Sequence, residues 1–304
     1  MAHPSSAEED APELALDEYR QLGGNCIHLH DEGDGVHSRR ATGQWLERRG
    51  LRAEFFLCTQ ICHAGWDSVG DRAIDRFKPE AVGEDIDADL ELLATKYLDL
   101  VYLDDNPQAP LEPVIEALCR EITRGKIRAF GFRNWTPERL RKAHEHLSRE
   151  LLPGVSVVLT TELALASSTG PLWPEYVPFD KELKRTVRDL GLGVFAHAAD
   201  INLGQGIYGD GDATTRLRRH WSERWEHPSN QTLVPRVRQL AAARGITPRI
   251  VNVAWLLNQP FPCVAIVPLP YLGSALRKEY ERASQFILKE SDLELLNAGL
   301  QLET

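Results

Sequence analysis

Residues 23–46 read GGNCIHLHDEGDGVHSRRATGQWL. An apolar run from Asn25 to Leu29 ends among His28, His30, Asp31 and Glu32. Gly33, Gly35 and Gly43 follow, and a helical pattern starts near Ser38, a residue suited to an N-cap. The segment predicts strand, polar loop and helix, with ionisable groups where the strand stops. In βα-repeat proteins the chemistry sits at that end of the strands.

The same unit recurs along the chain. Strands are predicted over 25–30, 54–61, 98–103, 127–132, 155–163, 193–198 and 264–269. Helices are predicted over 12–22, 38–49, 80–95, 111–125, 136–150, 179–190, 232–244, 248–258, 273–286 and 292–300. Gly125 ends one helix; Thr136 caps the next, with Pro137 at its first position. Strands alternating with helices of this length make right-handed βαβ units and a parallel sheet. The unbroken rhythm favours an α/β fold of the (β/α)8 TIM-barrel type. Such a barrel has eight strands and the pattern supplies seven, so the first strand is read as lacking or displaced. An open edge invites pairing, and residues 1–11, a homo-oligomer or a partner protein are expected to cover it. Residues 1–11 read as a flexible N-terminus, and 12–304 as a single barrel domain. Residues 199–230 form a long loop of lid or binding-loop type.

A net charge of −10 argues against a nucleic-acid surface, which needs basic groups to neutralise phosphates, and against an anionic membrane. No apolar run reaches the roughly 18 residues of a membrane span. The opening MAHPSSAEEDAPE lacks the basic and apolar parts of a signal peptide, and the expected location is cytoplasmic. Cys26, Cys58, Cys62, Cys119 and Cys263 are scattered and odd in number, which predicts free, mostly buried thiols. None of the eight lysines falls at the end of a predicted strand.

Four segments resemble the aldo-keto reductases in order and spacing. Gly23-Gly24-Asn25 with Ser38 and Gly43-Gln44-Trp45-Leu46 is similar to that family's GxNFxDTAxxYG…SE…G.WL stretch. Tyr97–Leu100 resembles its YLDL strand, 125–135 its GKVRxIGVSNW run, and 253–257 its VALAWLL helix. The resemblance covers about residues 12–300 and implies the barrel and NADPH-dependent carbonyl reduction by an Asp, Tyr, Lys and His tetrad. At the matching positions this chain carries His28, Gly33, Gln60 and Asp104. Among the cofactor positions, Arg133 replaces a serine, Asn134 is kept and Thr160 replaces a glutamine. The SPLAxG loop reads Ala198-Ala199-Asp200-Ile201-Asn202, and the IPG segment loses its glycine in Ile266-Val267-Pro268-Leu269-Pro270.

On these replacements the sequence predicts loss of redox chemistry and no cofactor. Residues of equal parity share a strand face, and the register that the family resemblance implies points His28, Gln60 and Asp104 into the mouth of the barrel, with His30 in the same parity as His28. A histidine and a carboxylate in one cleft can exchange protons near neutral pH. His28, Asp104 and Gln60 are therefore the candidate catalytic residues of a dehydratase, isomerase or cyclase acting on a small polar oxygenated metabolite. His30, Asp31, Asp105, Asn106, Arg133, Asn134 and His197 are the candidate substrate-binding residues. Three further readings stand beside this one: a non-catalytic pseudoenzyme serving as a regulatory or partner subunit, an NADP-dependent oxidoreductase with an atypical site, and a divalent metal held by His28 and His30 with Asp104 and His197. His63 and Trp66 read as pocket wall, Trp45 and Trp255 as core, Trp221 and Trp225 as packing of the long loop. His144 and His146 are expected on an exposed helix face.

Overall fold

A computed structural model describes residues 11–29, 35–63, 65–66, 73–154, 157–160, 163–171, 176–196, 225–266 and 274–297. The chain forms two compact units, 1–159 and 160–304.

The first unit runs α1 (Ala11–Gln21), β1 (Cys26–Leu29), α2 (Gly35–Arg49), a 3-10 turn at Arg52–Glu54, β2 (Phe56–Ile61), β3 (Gly65–Trp66), β4 (Ala73–Ile74), α3 (Pro79–Leu92), β5 (Leu98–Asp104), α4 (Glu112–Thr123), β6 (Ile127–Arg133), α5 (Pro137–Arg149) and β7 (Val157–Thr160), whose last residue opens the second unit. Strands β1, β2, β5, β6 and β7 pair in parallel in chain order. The second unit continues with α6 (Lys181–Asp189), β8 (Gly193–Ala196), α7 (Asn230–Arg244), α8 (Pro248–Leu257), β9 (Cys263–Ala265), α9 (Ser274–Gln285) and α10 (Glu290–Asn297). There β8 pairs with β9 in parallel, Val194 opposite Cys263. All seven expected strands are present, each followed by a helix.

In the first unit one strand face is apolar: Leu57, Val101, Leu103, Phe130 and Phe132 are fully buried. Trp135 stacks on Phe132 with ring centroids 3.8 Å apart. Thr136 caps α5 as read, accepting from the Arg139 N–H. Close helix approach is built in at Gly43, where a Cβ would lie 2.6 Å from the Leu93 carbonyl carbon. Below it, Arg39 of α2 and Asp89 of α3 form a buried ion pair of 2.6 Å. At the N-terminal strand ends, buried Asp99 accepts from the Leu57 N–H, Arg52 and Arg128.

Several boundaries differ from the sequence reading. Helix α2 starts at Gly35, so Ser38 lies within its first turn instead of capping it. Between β2 and α3, where no element is predicted, the chain holds an antiparallel pair, β3 with β4. Trp45 and Trp255 are core residues as expected, and Trp225 is buried. His146 is buried, not exposed: its Nε2 lies 3.4 Å from Glu116 Oε1 and its Nδ1 3.2 Å from Arg149. Residues 1–10, His30, Asp31, His197, Trp221 and positions 199–224 of the long loop lie outside the described residues.

Candidate functional site

Strand register lines up the other face of the sheet. His28 stands opposite Cys58, Gln60 opposite Tyr102, and Asp104 opposite Arg133. These six residues share one face, as parity requires. Polar groups collect at its C-terminal end, where Gln60 is the last residue but one of β2 and Asp104 and Arg133 end β5 and β6.

Three donors converge on one oxygen there. Asp104 Oδ2 accepts from Gln60 Nε2 at 2.8 Å, from Arg133 Nη1 at 3.3 Å and from His63 Nδ1 at 2.6 Å. An ionised carboxylate only accepts, so the histidine carries its proton on Nδ1 and the glutamine presents its amide nitrogen. The 3.0 Å separation of Gln60 Nε2 and His63 Nδ1 is then two donors held side by side by a common acceptor. Gln60 and Arg133 are buried, Asp104 is 17% exposed and His63 34%. His63 is thus the member of the group that faces solvent.

The chain reaches this arrangement through left-handed backbone at two strand ends. Cys62, directly after β2, has φ +55°, and its N–H donates to Asp85 Oδ2 at 2.8 Å. That turn carries His63 back over Asp104. Asn134, directly after β6, has φ +62°, a conformation asparagine tolerates better than most residues. Left-handed backbone at a residue such as Cys62 typically costs about 1–3 kcal/mol and persists where the surrounding structure holds it, here the bond to Asp85.

Among the described residues no hydrogen-bond donor reaches two buried acceptors of the cluster, Gln60 Oε1 and Asp104 Oδ1. Burying an acceptor unpaired costs about 1–3 kcal/mol, so each of these oxygens would gain from an N–H or O–H donor.

Not every candidate belongs here. Asp105 turns the other way and is clamped by Arg139 Nη2 at 2.6 Å and Nε at 3.0 Å. Burial pushes the Asp105 carboxyl up, against the opposing pull of Arg139. Asn106 donates to Asp75 Oδ2 at 2.8 Å and accepts from the Gln108 N–H, closing a turn. His28 remains on the site face but packs its ring edge-on to Tyr102, with centroids 5.5 Å apart. The sequence reading gave His63 only a wall role and did not single out Tyr102. A signal existed for each: His63 lies two residues past a strand end, and Tyr102 is two residues before Asp104 on the same strand. No group of three or more potential metal ligands occurs among the described residues.

The aldo/keto reductase family model matches residues 33–294. The chain belongs to the aldo/keto reductase family. The Schizosaccharomyces pombe protein named aldo-keto reductase yakc, with NADP(+) in its name, is 24% identical over 288 residues, covering 89% of this chain and 76% of that protein. Aldo-keto reductase str7 of Strobilurus tenacellus is 23% identical over 253 residues, covering 77% and 64%. The crystal structure of an aldo/keto reductase from Klebsiella pneumoniae in complex with NADP and acetate superposes with a TM-score of 0.68 at 20% identity, covering 96% of this chain and 86% of that one. The fold is therefore the (β/α)8 barrel type, with seven parallel strands among the described residues.

These relatives overturn two expectations. A non-redox dehydratase, isomerase or cyclase is contradicted, because the relatives are named reductases. The absence of a cofactor is contradicted as well, because the solved neighbour holds NADP. A pseudoenzyme gains no support from them. Read one position at a time, the four replaced side chains suggested only loss of the tetrad; their sequence did not show the group that forms around Asp104, with a histidine from beyond the strand end.

Proposed function

We propose that this protein is a cytoplasmic NADP-dependent oxidoreductase that interconverts a small carbonyl compound and its alcohol through an atypical site. Family membership supports the redox chemistry. The observation that carries the site assignment is the convergence of Gln60, His63 and Arg133 on Asp104. Bound NADPH would supply the hydride, and the protein must supply the proton. Asn134 and the unpaired acceptors of Gln60 and Asp104 are the described groups that would take the nicotinamide carboxamide. The five unpaired cysteines suit a reducing compartment.

In this reading His63 is the general acid. Its Nδ1–H stays on Asp104, which fixes ring orientation and tautomer, and Nε2 delivers the proton to the carbonyl oxygen. Arg133 offsets the carboxylate charge as the imidazolium forms and reverts. Gln60 braces the carboxylate from the neighbouring strand. The test is a fluorescence titration of NADPH with the pure protein, followed by turnover on a panel of aldehydes and ketones. Saturable binding and NADPH consumption with at least one carbonyl are expected. Failure to bind either NADPH or NADP would remove the proposal.

A further inference from the structure

Deeper on the same strand face, the thiols of Cys26 on β1 and Cys58 on β2 lie with their sulfur atoms 3.9 Å apart. Cys26 stands opposite Phe56 and Cys58 opposite His28, so the two thiols meet on a diagonal between neighbouring strands. Cys26 is half-buried and Cys58 fully buried. Tyr19 fixes the first from behind, its hydroxyl donating to the Cys26 carbonyl at 2.8 Å and accepting from the Cys26 N–H at 3.3 Å. Gly24 makes room for that ring, since a Cβ there would fall 2.1 Å from Tyr19 Cε2. The proposed carbonyl chemistry uses neither thiol.

We propose that Cys26 and Cys58 form an oxidisable dithiol, a modification site at which a peroxide converts the pair to an intrachain disulfide. The half-buried Cys26 is the attacking thiol and the buried Cys58 the resolving one. Donation from the Cys58 S–H holds the Cys26 thiol below its ordinary value and pushes that of Cys58 up. Thiolate character is what makes a cysteine attack. In the first step Cys26 sulfur attacks a peroxide oxygen. The S–O bond forms, the O–O bond breaks, and the departing hydroxide leaves as water once protonated. Sulfur is oxidised by two electrons to the sulfenic acid and the peroxide is reduced. In the second step Cys58 sulfur attacks Cys26 sulfur. The S–S bond forms, the S–O bond breaks, and water departs with the Cys58 proton. Two thiols and one peroxide give one disulfide and two waters.

Closing 3.9 Å to a disulfide bond of about 2.05 Å draws the two strands together along their diagonal. Strand β1 pairs with β2 alone among the described strands, so the bridge would staple the strand at the sheet edge. His28, two residues after Cys26, would move with it. The inference stands on the thiol geometry and does not depend on the carbonyl-reduction reading.

The test adds dilute hydrogen peroxide to the reduced, folded, full-length protein and reads intact mass and a non-reduced peptide map. The wild type is expected to lose the mass of two hydrogens and to yield a Cys26 peptide joined to a Cys58 peptide. Cys58→Ser should stop at a sulfenic acid on Cys26, trapped by dimedone. Cys26→Ser should give neither product. Should a serine variant fail to fold, the wild-type map decides alone. An unlinked map, a link that uses another cysteine, or dimedone landing first on Cys62, Cys119 or Cys263 would overturn the proposal.

Discussion

Asp104 gathers three donors on one of its oxygens, and no donor among the described residues reaches the other. Each partner makes a different prediction. His63→Ala removes the proton donor, and kcat for carbonyl reduction should fall by about 10²–10⁴-fold, the usual contribution of a positioned acid. The NADPH dissociation constant should stay within a few-fold. Asp104→Asn keeps the shape but turns an acceptor for three donors into a group that donates on one side. It should lower kcat by a similar factor with little change in unfolding midpoint, measured by steady-state kinetics and denaturant titration. At this scale the sequence revealed part of the site. Parity, taken with the strand register implied by the family resemblance, placed Gln60, Asp104 and His28 on one face, because a strand's side chains alternate with a period of two. Parity could not place His63, which lies beyond the strand, where backbone torsions at Cys62 decide direction. Nor could it show that Asp105 would be taken by Arg139 of α5, the helix after the neighbouring strand β6.

Between residues and the whole lie the turns and helix contacts that hold the cluster in place. Asp85 on α3 accepts the Cys62 N–H and pairs with Arg76 at 2.5 Å. Asp85→Ala should release the turn that aims His63. The expected signature is a drop in kcat larger than any change in KM, with the Gln60–Asp104 bond left intact. At the opposite strand ends Asp99 joins Arg52, Arg128 and the Leu57 N–H at 3% exposure. Asp99→Ala leaves those charges without their carboxylate and should destabilise the protein by about 3–5 kcal/mol, the range for breaking a buried pair. Replacing Arg39 by Met and Asp89 by Leu together removes both members of a buried pair and should be near neutral in thermal unfolding. Either single change alone should be clearly worse. These helix and strand types were legible from hydrophobic period and capping residues. Their ends were less so: Ser38 looked like a cap, yet the helix starts earlier.

At the scale of the molecule, the order of seven strands and their helices followed from sequence rhythm and family motifs. The reaction did not, because replaced side chains were read as lost chemistry. The second unit offers a prediction on acid stability. Asp292 is buried, which by itself raises its carboxyl, but hydrogen bonds from Arg244 at 2.6 and 2.7 Å and from the Lys289 N–H outweigh this and hold it below the usual carboxylate range. A carboxyl lowered in the fold stabilises it at pH above the unfolded value near 4, and that contribution is lost as pH falls through the folded value. Asp292→Asn should therefore lower the unfolding midpoint at pH 7, and its gap to wild type should narrow as pH falls below the unfolded carboxyl value of about 4.

The account as a whole turns on whether hydride moves from NADPH to a carbonyl with His63 supplying the proton. The direct measurement is a single turnover, followed by the loss of NADPH absorbance, with wild type and His63→Ala at saturating cofactor and a reactive aldehyde. We predict that wild type consumes one equivalent and that the variant binds NADPH equally well but reacts at least about 100-fold more slowly. Equal rates for the two proteins, or no NADPH consumed by wild type, would contradict it.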